Sequence, residues 1–566
     1  MKLKQQINQL IENALAKASI ETAQVTVTEA TKPEFGDYQF NGIMPLAKQL
    51  KRNPREIAAD VVALIDTEGL IAKVEVAGPG FINIWLNHDW LAEQAGEILT
   101  NERTGVEKKA DPLKVVVDYS GPNMAKQMHV GHLRSTIIGD TLANLFTFLG
   151  DEVIRQNHIG DWGTQFGMLI AYLEEIGSEY GGENLKDLEQ FYKDAKKRFD
   201  EESAFADKAR EYVVKIQSGD LHCLTLWKKF IGISLGHCEE VYEKLGVNLT
   251  REDVSAESFY SERLPGVIEA LEEKGQLQIS EGAKCVFLEG EEIPVIVQKG
   301  DGGYLYATTD LAALWYRSEI LGAKRISYVV DARQTGHFKQ VFRVAKESGL
   351  VREDVLLEHV AFGTMMDKGG RPFKTRDGGT VKLIDLLDEA VVRAKEAIKE
   401  KENYSPEELE ALARVIGIGA VKYADLSINR ESNYIFDWDK MLSLEGNTSL
   451  YQQYAYARIM SIFRKYDGEI GQNIVIGNEI EHRLTVMLLR FEDILEKAAK
   501  DAAPHQITGY LYDLTTLFMR FYEQNPILKE GIDKETRESR LALAALTAKV
   551  IKQGLEILGI EVVDRL

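Results

Sequence analysis

Two histidines three residues apart, His129 and His132, close a segment able to do chemistry: Asp118-Tyr-Ser-Gly-Pro-Asn-Met-Ala-Lys-Gln-Met-His-Val-Gly-His132. A hydrophobic run, Val115 to Val117, precedes it. An apolar series at helical spacing follows (Leu133, Ile137, Ile138, Leu142, Leu145). This pattern predicts a buried strand, a polar loop and a helix whose mouth carries both imidazoles. A helix N-terminus presents free N–H groups and the positive end of a dipole, so anions collect there. The imidazoles add donors for a phosphate, and Gly131 keeps the backbone low enough for a flat ring to pack. Such a constellation suits nucleotide activation. A lone His-x-Gly-His also arises by chance; Pro122, Asn123 and Lys126, placed between strand and helix, favour the functional reading.

Further segments carry polar groups at the ends of predicted strands. Asn157-His-Ile-Gly-Asp-Trp-Gly-Thr-Gln-Phe-Gly167 follows the strand Glu152 to Arg155 and reads as a tight polar loop at the ligand-bearing edge of a parallel sheet. The same residues could also simply turn the chain over a buried Trp162. Tyr306 and Asp310 stand four apart. If a helix starts near Thr308, Asp310 sits in its first turn and Tyr306 just before it, both reachable from one cavity. A carboxylate with a phenol suits a guanidinium, whose planar fork of donors favours paired oxygen acceptors. Taken alone, Asp310 reads as an ordinary first-turn carboxylate. Asp331-Ala-Arg-Gln-Thr-Gly-His-Phe-Lys-Gln-Val341 follows a strand and opens a helix, so Gln334 and His337 face a ligand while Phe338 and Val341 pack inward. Gly363 to Val381 is a basic, glycine-rich loop containing Lys374 and Arg376. Tyr451, Tyr454 and Arg458 share one helix face, either core or a surface on which single-stranded RNA stacks.

The elements that must position these groups follow from periodicity. Residues 1–110 read as a small α/β domain, with helices from Leu3 to Ala18, Met44 to Lys51 and Pro54 to Glu68, and strand pieces around Gly78-Pro-Gly80. Residues 111–440 alternate strand and helix, the pattern of a Rossmann-like parallel sheet, interrupted over about 171–295 by charged helices such as Asp187 to Ile216. Residues 441–566 read as all-helical. The fold class is therefore α/β, with a small N-terminal domain and a helical C-terminal one. A chain of 566 residues exceeds a single core, which agrees with such a division. No stretch approaches the ~20 apolar residues that span a bilayer, and the opening residues read as an amphipathic helix rather than a signal peptide, so a cytoplasmic protein without a membrane partner is expected. The three cysteines are too few and scattered for a disulfide framework or a thiolate zinc site, and no structural metal is expected. A net charge of −21 excludes indiscriminate coating of polyanions and leaves room for a shape-dependent RNA ligand. No interface signal is visible, which leans toward a monomer.

The strand–loop–helix at His129 and His132 resembles the class I aminoacyl-tRNA synthetases, whose HIGH motif occupies this place. The Asn157–Gly167 loop, Tyr304 to Ala313, the block Glu445 to Arg458 and the ending Leu558 to Leu566 are similar, in that order, to arginyl-tRNA synthetases. The resemblance runs from the N-terminal domain to the last residue. It implies ATP-dependent activation of L-arginine and its transfer to tRNA-Arg, with ATP entering as its Mg²⁺ complex. It implies catalytic roles for His129, His132 and Lys126, and arginine contacts at Asp118, Asn123, Tyr306, Asp310 and Gln334. Family members commonly carry Glu where Asp118 stands. Gly131, His337, Lys374 and Arg376 are implied at ATP. Class I enzymes carry a KMSKS lysine loop where this chain has only Phe373-Lys-Thr-Arg-Asp, and Lys126 is the implied substitute. Tyr451, Tyr454 and Arg458 match the anticodon-binding domain; Tyr38, Gln39 and Asn41 match a loop that meets the tRNA elbow. Activation is implied to require bound tRNA. Alternatives are a non-catalytic tRNA-binding paralogue, which would be expected to lose His129, His132 or Asn123, another class I synthetase, and a small-molecule nucleotidylyltransferase, which needs no long helical C-terminal domain.

Overall fold

The computed structural model describes residues 2–21, 24–177, 188–373, 381–399 and 404–566. Val115, Val116 and Val117 are wholly buried, and a β-branched run covered on both faces makes an interior parallel strand. That strand, Lys114–Asp118, lies between Glu152–Gln156 and Arg325–Tyr328, with Leu356–His359 beyond the latter; all four are parallel. From the central strand the chain moves outward to Glu152–Gln156, then returns to the opposite side for Arg325–Tyr328. Where successive connections leave in opposite directions, a crevice opens at the carboxyl ends of the strands. The helices Val130–Phe148 and Thr335–Glu347 follow the two strands that flank it.

The insertion between the second and third strands is mostly helical. The charged segment read as helical from Asp187 to Ile216 is two helices, Leu188–Glu201 and Ser203–Gln217; Asp187 lies outside the described residues. The insertion then continues through Leu221–Leu245 and Leu264–Glu273. It ends in a three-stranded antiparallel sheet, Leu277–Ser280, Ala283–Val286 and Val295–Gln298, absent from the helical reading. Its first hairpin turns on Glu281 and Gly282, both at positive φ, a two-residue turn whose twist matches that of the strands it joins.

The chain divides into two compact units. Lys108–Leu442 with Ile557–Ile560 holds the parallel sheet; Met1–Glu107, Ser443–Glu556 and Glu561–Leu566 form the other. By contact, the first and last parts of the chain group into one unit. In that unit an antiparallel sheet runs in the order Val27–Glu29, Tyr38–Phe40, Phe81–Leu86, Ile71–Ala77. Asp37 ties it to the C-terminal helix Glu479–Leu489: its carboxylate accepts from the Leu86 amide at 2.8 Å and lies 2.7 Å from His482 Nε2. The Pro54 helix stops at Val62 rather than Glu68; beyond it the Asp66 carboxylate accepts from the Glu68 amide at a local turn. Strand alternation corrects one expectation. Tyr38 and Phe40 point into the core, 1% and 2% exposed, so Tyr38 cannot meet an RNA. Gln39 is half-buried and Asn41 exposed. Among the described residues no helix is long and apolar enough to cross a membrane.

Candidate active site

Loop geometry at the end of the central strand is set by side-chain hydrogen bonds to its backbone. Ser120, Gly121 and Ala125 all take positive φ. Non-glycine residues are rarely stable there unless their surroundings hold them. The Ser120 amide donates to Ser135 Oγ (2.9 Å), that of Gly121 to Asn157 Oδ1 (3.0 Å) and that of Ala125 to Ser234 Oγ (3.0 Å). Asn123 is exposed at the loop's crest, and a Cβ on Gly160 would lie 2.3 Å from its Oδ1, so glycine is required opposite it.

The two histidines cap the next helix reciprocally. His129 is the N-cap, and its Nδ1 accepts from the Gly131 amide at 3.1 Å; His132 Nδ1 accepts from the His129 amide at 3.1 Å. Orphan amides of the first turn are thereby satisfied by imidazoles, where Ser and Glu usually serve. Because each Nδ1 accepts, each ring carries its proton on Nε2. A Cβ at Gly131 would sit 2.8 Å from the His129 ring, so only glycine lets that ring fold back over the helix start. Burial, reinforced by His129, lowers His132 to about 3. Burial, then the charge of Lys126, lowers His129 as well. The pair therefore offers neutral N–H donors at neutral pH, and positive charge must come from elsewhere.

One cavity of about 540 Å³ collects most of the expected groups: Asp118, Asn123, Gly131, His132, Tyr306, Asp310, Gln334 and His337 all line it. Phe338 and Val341 are buried, as the helical pattern requires. The Tyr306–Trp315 helix begins earlier than expected, at Tyr306 itself, with Leu305 as N-cap. His337, expected at the nucleotide, lies in this cavity against Asp310, Nε2 to Oδ2 2.6 Å, and this hydrogen bond raises the imidazole above its ordinary pKa. Asp118 pairs with Arg317, Oδ2 to Nη2 2.8 Å. His129 and Lys126 lie outside the cavity lining; Lys126 is exposed with its ammonium 5.0 Å over the Tyr192 ring.

Glu257 was not foreseen. It lines the same cavity, and burial, then Asp161 and Asp310, pushes its carboxyl up to about 7. It arrives from the far end of the insertion, with no local motif around it. His158, in the quoted Asn157–Gly167 segment, also lines the cavity, its imidazole lowered by burial. Four carboxylates line the cavity, Asp118, Glu257, Asp310 and Asp331, the last paired with Arg333; the acidic lining matches a cationic ligand.

Lys374 and Arg376 lie outside the described residues, yet both flanks of their loop are tied to the histidine helix. Buried Arg134, on that helix, donates through Nη1 to the carbonyls of Gly363 (2.7 Å) and Ser432 (3.0 Å) and through Nε to Asp425 (3.1 Å). On the other flank the Val130 amide donates to Val381 O and the Leu383 amide to Met128 O, each at 3.0 Å. In the C-terminal helix Ser449–Phe463, Arg458 donates to Tyr454 Oη at 2.8 Å, and Tyr451, Tyr454 and Arg458 are all half-buried.

A parallel sheet with a histidine-capped helix at its switch point is the architecture of a class I aminoacyl-tRNA synthetase. Residues 94–438 match the family model "tRNA synthetases class I (R), catalytic domain". Residues 3–86 match "Arginyl tRNA synthetase N terminal domain", and 452–566 match "DALR anticodon binding domain". Curated arginine–tRNA ligases of Alteromonas mediterranea and Hahella chejuensis are each 52% identical to this chain; the first match covers 99% of both chains and the second 100% of both. The crystal structure of arginyl-tRNA synthetase from Plasmodium falciparum superposes with a TM-score of 0.88 at 31% identity, covering 100% of each chain. The chain belongs to the arginyl-tRNA synthetase family.

Proposed function

We propose that this chain joins L-arginine to tRNA-Arg in two steps. Arginine's carboxylate attacks the α-phosphorus of Mg²⁺-bound ATP, forming arginyl-adenylate and releasing pyrophosphate. The terminal adenosine 2′-hydroxyl of the tRNA then attacks the arginyl carbonyl and AMP leaves. The observation that carries this reading is one cavity lined by Asp118, Glu257, Asp310 and Asp331 beside a histidine-capped helix start. No protein nucleophile is needed, so catalysis reduces to alignment and charge stabilisation. Asp310 and Tyr306 accept from the guanidinium, with Glu257 as a further acceptor. Asp118, Asn123 and Gln334 complete the arginine contacts. His129 and His132 direct Nε2–H donors at the α-phosphate, and Lys126 supplies the positive charge that neutral imidazoles lack.

ATP–pyrophosphate exchange, run with each amino acid in turn and with or without tRNA, tests this. Exchange should appear with arginine alone and should require tRNA. Exchange supported by another amino acid, or none with arginine, would overturn the reading; full exchange without tRNA would overturn the tRNA requirement.

A pH dependence follows from the two shifted groups. Glu257 titrates at about 7 in the free site, and a bound cation favours its ionised form. His337 is raised by its bond to Asp310; arginine competing for that carboxylate returns the imidazole toward its ordinary value. Both groups shed protons on binding, so arginine affinity should increase as pH rises and level off above the free-site values. Arginine KM measured from pH 6 to 8.5 should fall with pH while ATP KM stays flat. A flat arginine profile would remove both groups from recognition.

A further inference from the structure

Arg317 is wholly buried in the structure, and a guanidinium held away from water needs its charge answered. Three neighbours meet its charge, its Nε and its face, while Nη1 and Nη2 have no partner in hydrogen-bonding geometry among the described residues. Nη2 lies 2.8 Å from Asp118 Oδ2, Nε donates to Gln156 Oε1 at 2.5 Å, and the guanidinium sits 4.8 Å over the Tyr328 ring. Asp118, Gln156 and Tyr328 are the last residues of three adjacent parallel strands, and Asp118 is in register with both of the others. Arg317 therefore spans the sheet edge at which the cavity opens. It stands in a π-helical turn, Tyr316–Ile320, that continues the helix bearing Tyr306 and Asp310. A local π-turn is a costly irregularity that usually marks a site where a side chain has to be aimed.

We propose that Arg317 is a positioning residue for arginine recognition: its guanidinium holds the Asp118 carboxylate in one orientation, so that Asp118 meets the substrate preorganised. One helical rod thus carries the acid that reads the substrate, Asp310, and the internal base that aims a second acid, Asp118. The same pairing sets the Asp118 charge against the Arg317 guanidinium. This rests on the reading of Asp118 as an arginine contact.

The test uses the full chain with tRNA and compares R317M, R317K, D118N and D118N/R317M in tRNA charging and pyrophosphate exchange. R317M should raise arginine KM roughly thirtyfold or more, the scale of stripping one partner from a buried charge pair. ATP KM and kcat should stay within about threefold, and a purely structural loss would instead lower kcat and leave both KM values alone. R317K should recover part of the arginine KM, because an ammonium restores the charge without the fork. Once Asp118 has lost its charge, adding R317M should bring no further loss. If R317M does not fold, R317K and the double variant, which removes both charges, decide the matter. An arginine KM unchanged in R317K and R317M, or losses that multiply in the double variant, overturn the proposal. If D118N itself leaves arginine KM unchanged, the reading of Asp118 fails; if D118N acts and R317M does not, only the role of Arg317 fails.

Discussion

Replacing His132 by alanine is expected to cut turnover in pyrophosphate exchange by about a hundredfold or more, the effect of deleting one preorganised donor from a developing oxyanion. The ring's Nδ1 is occupied by the His129 amide, which leaves the Nε2 proton free for a phosphate oxygen. Held at about 3 by burial and its neighbour, the imidazole is neutral throughout the physiological range. Its contribution is thus a directed dipole, and the wild-type rate should show no titration attributable to it between pH 5.5 and 8. The substitution also removes a helix cap, worth about 1 kcal/mol. Thermal melting therefore has to accompany the kinetics. A small drop in melting temperature beside a large drop in turnover separates the two effects. Unaltered turnover would take His132 out of the mechanism.

Asp310→Ala should produce the second large effect, on binding rather than turnover. Asp310 faces the cavity and already engages one partner, the His337 imidazole. Losing the acceptor for a charged, multiply donating group costs about 2–4 kcal/mol, which is roughly a hundredfold in arginine KM. ATP KM should change little, since the phosphates are assigned to the opposite helix mouth. Equal increases in both constants would mean that Asp310 does not read the guanidinium. His337 gives an internal control. Freed from its partner, it loses the hydrogen bond that raises it, so the pH dependence of arginine KM should flatten toward the acid side in this variant.

The features legible in the sequence are those whose partners are close along the chain. The histidine helix, its cap and its glycine are local: His129, Gly131 and His132 satisfy one another within a single turn. The inward turn of Phe338 and Val341 follows from helical period alone. Period also explains the one lapse at the surface. Phe35 to Asn41 contains a strand, and alternation sends Tyr38 inward and leaves Asn41 exposed. The hairpin at Glu281 and Gly282 is local as well, a two-residue turn ending in glycine between short strands.

By itself, then, the sequence determined the local chemistry: neutral donors at a helix mouth, and a phenol and carboxylate on one helix. Tertiary structure alone decided how the charges pair. Asp310 meets His337 across 27 residues of chain and Arg317 reaches Gln156 across 161, because the strand order brings distant chain ends to one sheet edge. Glu257 enters the same cavity from the insertion with no motif to announce it. Periodicity specifies which face a residue takes on its own element. It carries no information on which charge waits on another, and that pairing decides whether a carboxylate is free to bind or already engaged.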